Sequence, residues 1–291
     1  MKVVGFTIIK DAIKYDYPFL ESIKSILPIC DEFIVGVGKT SDDTLAQIRN
    51  IPDKKIKIIE TVWDEKVRKG GHVLAVETNK VLAEIPKDSD WNFYIQADEV
   101  VHEKYLDVIL QAMKKYQDNP KIDALLFKYL HFYGSYEYVG NSSKWYSHEI
   151  RAFKNDPSVF SFRDAQGFRK GKNKLMRARE VDAWVYHYGW VKHPKEMQKK
   201  QEHFNKYWHD DEWMKENVVK ADEYDYKNID SLRLFEGTHP AVMKERLQKK
   251  NWAFDYDFAR NKKTRKEMLK QILKNYFGID TSYKNYIKVK V

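Results

Sequence analysis

The chain has one cysteine in 291 residues, Cys30, which excludes an intramolecular disulfide and any cysteine-based zinc cluster. Its setting, Ile26-Leu27-Pro28-Ile29-Cys30, is apolar, so a buried and inert thiol is expected. No apolar run approaches the ~20 residues needed to cross a bilayer. The start, Met1-Lys2-Val3-Val4-Gly5-Phe6-Thr7, lacks a charged-then-apolar leader and reads as a strand. A cytoplasmic protein is expected. Glycine-rich signatures are missing too. After the first strand the chain reads Ile9-Lys10-Asp11-Ala12, so there is no Gly-x-Gly-x-x-Gly dinucleotide turn. Neither a Gly-x-x-x-x-Gly-Lys-Ser/Thr phosphate loop nor a Gly-x-Ser-x-Gly elbow occurs, and kinase motifs are absent. No repeat or low-complexity linker divides the chain.

An apolar share of 43% supports a real core, and nineteen tyrosines with eight tryptophans exceed what packing usually asks for. Such rings either fill core and surface or stack on sugars and bases. The net charge is +9, and the excess gathers late: Arg260, Lys262, Lys263, Arg265, Lys266, Lys270 and Lys274 face Glu267 alone. This run, 260–274, reads either as a solvated helix face or as a surface for peripheral contact with the inner membrane face. Elsewhere acids interleave with bases and no nucleic-acid motif is present, so no nucleic-acid partner is expected.

Periodicity predicts strands at 2–9, 32–37, 55–62 and 91–95, with helices at 17–27, from 42 through 48, and near 73–83. Strand and helix alternating through the first hundred residues mean a mainly parallel sheet wrapped by helices, an α/β fold. Later the pattern changes. A helix is expected at 104–116, strands at 124–132, 149–153 and 181–188, and charged helices at 195–208 and 264–276. We read one core over 1–193 with a helical extension over 194–291.

The most informative junction is Trp91-Asn92-Phe93-Tyr94-Ile95, which runs into Gln96-Ala97-Asp98-Glu99. A buried strand stopping on adjacent carboxylates puts negative charge at the carboxyl edge of the sheet, where open α/β folds bind ligands. Carboxylates there suit a hard divalent cation, and that cation suits a phosphorylated ligand.

Taken in order, the first strand and helix, then Asp31-Glu32-Phe33-Ile34-Val35-Gly36-Val37-Gly38-Lys39-Thr40-Ser41-Asp42-Asp43-Thr44, then the acidic strand end at Asp98, resemble family 2 glycosyltransferases of the GT-A fold. The resemblance covers residues 1–195. It implies transfer of a hexosyl or N-acetylhexosaminyl unit from a nucleoside-diphosphate sugar to a glycan or lipid-linked acceptor in cell-surface polysaccharide synthesis, with inversion and with Mn²⁺ or Mg²⁺. Asp98 matches the last acid of the family's Asp-x-Asp motif, the metal-contacting one, and Glu99 contributes directly or by hydrogen bonding. Gln96 stands where the first acid of that motif falls, and Val37-Gly38 where an acidic turn reads the base. Nucleotide-sugar contacts are therefore expected around Thr7, Lys10, Gly38, Lys39 and Gln96. The family's Arg-Asn on the third helix is Thr78-Asn79 here. A late histidine that completes the metal site in many GT-A enzymes corresponds to His187, in Tyr186-His187-Tyr188-Gly189-Trp190; the other reading is an aromatic-packed imidazole. The catalytic base of inverting members corresponds to Asp164 or Glu149, and Arg169 is expected on phosphate or an anionic acceptor. A catalytically silent nucleotide-sugar binder on the same fold is the alternative, favoured by Gln96 and Val37-Gly38.

Overall fold

A computed structural model describes residues 1–64, 66–67, 70–218, 220–261, 268–270, 276 and 284–290. Most of the basic run 260–274, with its expected helix and its membrane contact, lies outside the described residues. No helix among the described residues is long and apolar enough to cross a membrane.

The first strand, β1 (Val3–Ile9), is buried on both faces, as its near-continuous apolar run requires of a central parallel strand. It leads to α1 (Phe19–Ile26), which buries Phe19, Ile23 and Ile26, three residues on one helical stripe. Glu21 in its first turn and Lys24 in its last complement the helix dipole. Pro28 then sits in a 3-10 turn that ends the helix. Next come β2 (Glu32–Gly38), α2 (Thr44–Arg49), β3 (Ile56–Thr61), α3 (His72–Ala83) and β4 (Trp91–Tyr94). β1, β2, β3 and β4 form a parallel set in the spatial order β3-β2-β1-β4. Alternate residues of these strands feed opposite core layers. Phe33, Val35 and Val37 pack with α1, while Val4, Phe6, Ile8 and Ile34 pack with Val73 and Val81 of α3.

This order matters for function. The chain leaves β3 at one edge and re-enters on the far side of β1, so the connections after β1 and β4 diverge. A crevice opens at such a switch point. Its two lips here are Ile9-Lys10 and Gln96-Ala97-Asp98.

Beyond β4 follow β5 (Glu99–Val101), α4 (Leu106–Tyr116), β6 (Ala124–Tyr133), β7 (Ser135–Gly140) and β8 (His148–Lys154). A separate antiparallel sheet comprises β9 (Val159–Phe162), β10 (Gly167–Lys170) and β11 (Lys174–Leu175). The long β12 (Arg177–Trp190) then runs parallel to β6 and antiparallel to β5. The main sheet is thus parallel in its first four strands and mixed beyond them, with β8 antiparallel to β4.

The remainder comprises α5 (Pro194–Phe204), α6 (Asp211–Asn217), β13 (Leu232–Leu234), α7 (Lys244–Gln248) and β14 (Ile287–Lys288). This part was expected to be helical; its described residues hold two short strands besides the helices. β13 pairs with β7 and β14 with β12, so the extension adds edge strands to the core sheet. It also supplies aromatic packing: Phe235 lies against Phe132, and Phe254 against Tyr133.

Candidate active site

The turn after β4 is fixed by one buried ion pair. Glu99 has no exposed surface, and its carboxylate accepts from Arg151 Nε at 2.8 Å and Arg151 Nη2 at 2.7 Å. Tyr129 Oη donates to the same group at 2.8 Å, and the Gln96 amide at 3.1 Å. A planar guanidinium fork suits this bidentate geometry. With its oxygens so engaged, Glu99 acts by hydrogen bonding; of the two contributions expected of it, direct metal contact is the one its position disfavours. Arg151 also donates to the Gln166 carbonyl at 3.0 Å. One ion pair therefore ties the Asp98 turn to the loop that carries Asp164 and Gln166.

Asp98 faces the crevice. Its Oδ2 lies 3.5 Å from His187 Nε2 and 3.9 Å from Lys200 Nζ. Burial works to raise its pKa, but His187, Lys200 and Lys192 together outweigh burial and hold the carboxyl well below its ordinary range. The Asp98 carbonyl accepts from the Tyr188 amide at 2.8 Å, which stitches this turn to β12. The next residue of β12, Gly189, leaves the facing space open. A Cβ there would stand 2.6 Å from Asp98 Oδ2 and 2.8 Å from His187 Nε2.

His187 is set between two neighbouring strands, opposite Glu99 of β5 and His131 of β6. Its Nδ1 is 3.2 Å from His131 Nδ1, and His131 Nε2 is 2.7 Å from the Tyr146 carbonyl. Two buried lysines flank the acid. Lys200, on α5, donates to the Gly189 carbonyl at 2.7 Å. Lys192 donates to the Tyr15 carbonyl at 2.6 Å. Both ammonium groups lie over the Tyr17 ring, at 5.0 and 4.3 Å, and burial lowers the pKa of each.

The crevice encloses about 440 Å³, within the size range of small-molecule sites. Asp98, His187, Lys200, Gln96, Lys10 and Asp164 share its wall with aromatic rings that include Tyr17, Trp63, Tyr146, Trp190 and Trp208. Asp164 sits in the β9–β10 turn between Arg163 and Ala165, whose φ angles of 57° and 60° are left-handed values uncommon for residues with a Cβ. Backbone held this way concentrates at functional sites.

Five residues singled out in the sequence therefore meet in one crevice: Lys10, Gln96, Asp98, Asp164 and His187. Five others are not part of its wall. Glu149 is buried behind Gln166, whose Nε2 donates to Glu149 Oε1 at 2.8 Å. Burial pushes its carboxyl up to about 8. Thr7 is wholly buried, and Arg169 is buried with its guanidinium 4.8 Å from the Phe162 ring. Lys39 is exposed. Gly38 acts at one remove: its missing side chain admits Trp63, which lines the wall, and a Cβ would lie 2.5 Å from Trp63 Nε1. Lys200, His131 and Gly189 escaped sequence reasoning. Lys200 is one of several lysines on a charged helix, and only the pairing of β6 with β12 brings His131 to His187.

Among the described residues no three His, Cys, Asp or Glu side chains gather as a metal cluster. Asp98 and His187 still fit a divalent ion. Hard cations at phosphate sites are commonly held by one or two protein ligands, with the phosphates completing the shell. Gly189 keeps the space beside both side chains open, which is room such an ion would need.

No protein-family model matches the chain, and no curated protein is significantly similar to it. Among solved structures, TarS from S. aureus is 12% identical over 69% of this chain and 38% of its own, with a TM-score of 0.41. Glucosyl-3-phosphoglycerate synthase from Mycobacterium tuberculosis, in complex with Mn²⁺, UDP and phosphoglyceric acid, is 18% identical over 45% of this chain and 43% of its own, with a TM-score of 0.30. 4-diphosphocytidyl-2C-methyl-D-erythritolsynthase from Anaerococcus prevotii is 12% identical over 53% of this chain and 70% of its own, with a TM-score of 0.31. The chain thus spans less than half the length of the first two. Likenesses this distant carry no weight for the chemistry of the crevice.

Proposed function

We propose that the chain is a glycosyltransferase that takes a sugar from a nucleoside-diphosphate sugar and uses Mn²⁺ or Mg²⁺, with inversion at the anomeric carbon. The observation that carries this reading is the meeting of Asp98, His187 and Lys200 at one end of an aromatic crevice, at the switch point of a parallel sheet. Few ligand classes need a cation site, a fixed ammonium and stacking surfaces together. A nucleoside-diphosphate sugar can use all three, the cation and the ammonium against its diphosphate and the rings against its base and sugar.

Asp98 and His187 are the residues that would hold the ion, which when bound supplies positive charge against the diphosphate. Lys200 adds a second positive charge, aimed by its bond to the Gly189 carbonyl. Both charges matter most as the glycosyl–phosphate bond breaks and its electron pair leaves on the diphosphate oxygen. Asp164 accepts the proton of the acceptor hydroxyl while that oxygen bonds to the anomeric carbon. Glu149, protonated near neutral pH and set behind Gln166, is the poorer base and serves to hold Gln166. Trp63, Trp190 and Trp208 offer faces for sugar stacking and exclude water. The acceptor of this reading is a glycan or lipid-linked sugar, and the location cytoplasmic.

The test is turnover of a panel of UDP-, GDP- and CDP-sugars with Mn²⁺, with and without oligosaccharide acceptors. Release of nucleotide by the native protein, reduced at least a hundredfold in Asp164→Asn with donor affinity kept, supports the reading. Absence of binding across the panel overturns it. Gln96, neutral where an acid would help hold ribose or metal, favours one second reading, a binder without turnover. Tight binding with no release on any acceptor selects it.

A further inference from the structure

Three segments from distant parts of the chain touch at one glycine. Gly71 immediately precedes α3, and its N–H donates to the Tyr207 carbonyl at 2.9 Å, while the Gly70 N–H donates to the Trp208 carbonyl at 3.4 Å. The Cβ that Gly71 lacks would stand 2.7 Å from Cε2 and Cζ2 of Trp208 and 2.8 Å from Cβ of Asp164. Carbon atoms in good contact sit about 3.5–4.0 Å apart. Asp164 and Trp208, both on the crevice wall, therefore occupy room that a side chain at position 71 would claim.

Neither neighbour can step aside freely. Asn79 ties the β9–β10 hairpin to α3 a second time: its amide donates to the Ser161 carbonyl at 3.2 Å and accepts from the Ser161 N–H at 2.7 Å, as an adjacent strand would. On the far side of the turn Ala165 is wholly buried, and Arg151 holds the Gln166 carbonyl at 3.0 Å. The Trp208 ring packs on Phe204, with centroids 4.4 Å apart. A methyl group at position 71 has to be accommodated by the Asp164 turn or by the ring, and packing of this kind answers added volume with displacement.

We propose that Gly71 is a positioning residue: its missing side chain sets the place of the Asp164 carboxylate against Trp208, so that the group taking the acceptor proton and a ring receiving sugar serve the same part of the crevice. A misplacement of about 1 Å at such a group costs roughly a hundredfold in rate. The proton-accepting role of Asp164 rests on the proposed glycosyl transfer; the contact at Gly71 does not. Gly70 supplies a matched control. It too has left-handed backbone, with φ of 61° against 68° for Gly71, but a Cβ on it would meet no described atom within 4 Å. Gly70→Ala and Gly71→Ala thus carry similar backbone strain and differ in the contact.

The experiment has two independent arms, both on the full chain. In the first, which needs no ligand, the protein is labelled with 6-fluorotryptophan and its ¹⁹F resonances are recorded, with Trp208→Phe used for assignment. The Trp208 resonance is expected to move by more than its linewidth in Gly71→Ala and to stay within it in Gly70→Ala. The same response to both variants overturns the proposal whatever the protein binds. In the second, kcat is measured with the nucleotide sugar that the native protein turns over, and affinity is measured for the nucleoside diphosphate that turnover releases. Gly71→Ala is expected to lower kcat at least tenfold with nucleoside-diphosphate affinity within about threefold of native, because the Asp98 and Lys200 end of the crevice is untouched, while Gly70→Ala keeps kcat within about threefold. Adding Gly71→Ala to Asp164→Asn is expected to change kcat by less than about threefold further, since the same group cannot be lost twice. Losses that multiply in the double variant, or equal losses in the two glycine variants, reduce Gly71 to a packing role and overturn the proposal. Should Gly71→Ala fail to fold, Gly71→Asn and Gly70→Asn form the same pair with the same expected outcomes, because asparagine carries a Cβ and tolerates left-handed backbone better. Absence of turnover by the native protein counts against the proposed function, while the fluorine result stands by itself.

Discussion

Arg151 and Glu99 are both fully buried, and among the described residues Arg151→Met removes the one charge bonded to that carboxylate. Four hydrogen bonds disappear: two to Glu99, and one each to the carbonyls of Ile150 and Gln166. Among the described residues, Glu99 keeps Tyr129 Oη and the Gln96 backbone N–H as donors. Breaking a buried pair from one side costs roughly 3–5 kcal/mol, because the surviving charge stays desolvated. An unpaired buried carboxylate escapes the charge by taking up a proton. The deficit is therefore larger at pH 8 than at pH 5. Glu99→Gln in the same chain removes the stranded charge, so the double variant is expected to recover a good part of the loss, with a coupling of at least about 1.5 kcal/mol. Urea unfolding followed by tryptophan fluorescence at both pH values measures all of this. A single-variant cost below about 1 kcal/mol at pH 8, or a double variant no more stable than the single one, would refute the claim that this ion pair is the keystone between the two site loops.

Glu149 gives a second pH signature. Its folded-state pKa of about 8 stands above the ordinary 4.5, so its contribution is fully present below the lower value and is lost as pH rises through the upper one. Glu149→Gln should flatten the alkaline part of the stability–pH curve by at most about 5 kcal/mol; an unchanged slope in chemical unfolding between pH 6 and 9 contradicts the burial argument. Gly189→Ala places a methyl group in the gap between Asp98 and His187 and should weaken Mn²⁺ binding at least tenfold, on the order of 1.4 kcal/mol or more, which titration calorimetry reads directly. Lys200→Met should weaken UDP about tenfold or more while leaving uridine within about twofold, since only the diphosphate meets that charge. Equal losses for both ligands would assign Lys200 to packing.

The first hundred residues were legible because their signals are local. The near-continuous apolar runs of β1 and β2 and a helical stripe at Phe19, Ile23 and Ile26 each mark an element without help from distant chain. The end of β4 was legible for the same reason, since an apolar strand stopping on Asp98 needs no partner to be noticed. Later elements depend on partners. The strands of the β9–β11 sheet are short, and β13 and β14 are edges added to strands far away in sequence. The site divides in the same way. Asp98 follows a strand end and Asp164 sits in a turn, so both could be picked out; His187 was picked out from its setting between Tyr186 and Tyr188, although it lies inside β12 and not at its end. Thr7, Lys39 and Arg169 lie near the right strands, yet Thr7 and Arg169 are buried and Lys39 is exposed, none of them on the crevice wall, and that depends on packing. Lys200 and His131 required the placement of α5 and the pairing of β6 with β12.

The central claim is that a nucleoside diphosphate and a divalent ion meet at the Asp98 carboxylate. Calorimetric titration of the native protein and of Asp98→Asn with UDP, GDP and CDP, each with and without Mn²⁺, tests it most directly. The account predicts that at least one nucleotide binds the native protein in a Mn²⁺-dependent manner and that Asp98→Asn, folded at the temperature of the titration, loses at least tenfold of that affinity. Nucleotide binding of equal strength in both proteins, indifferent to Mn²⁺, would contradict it.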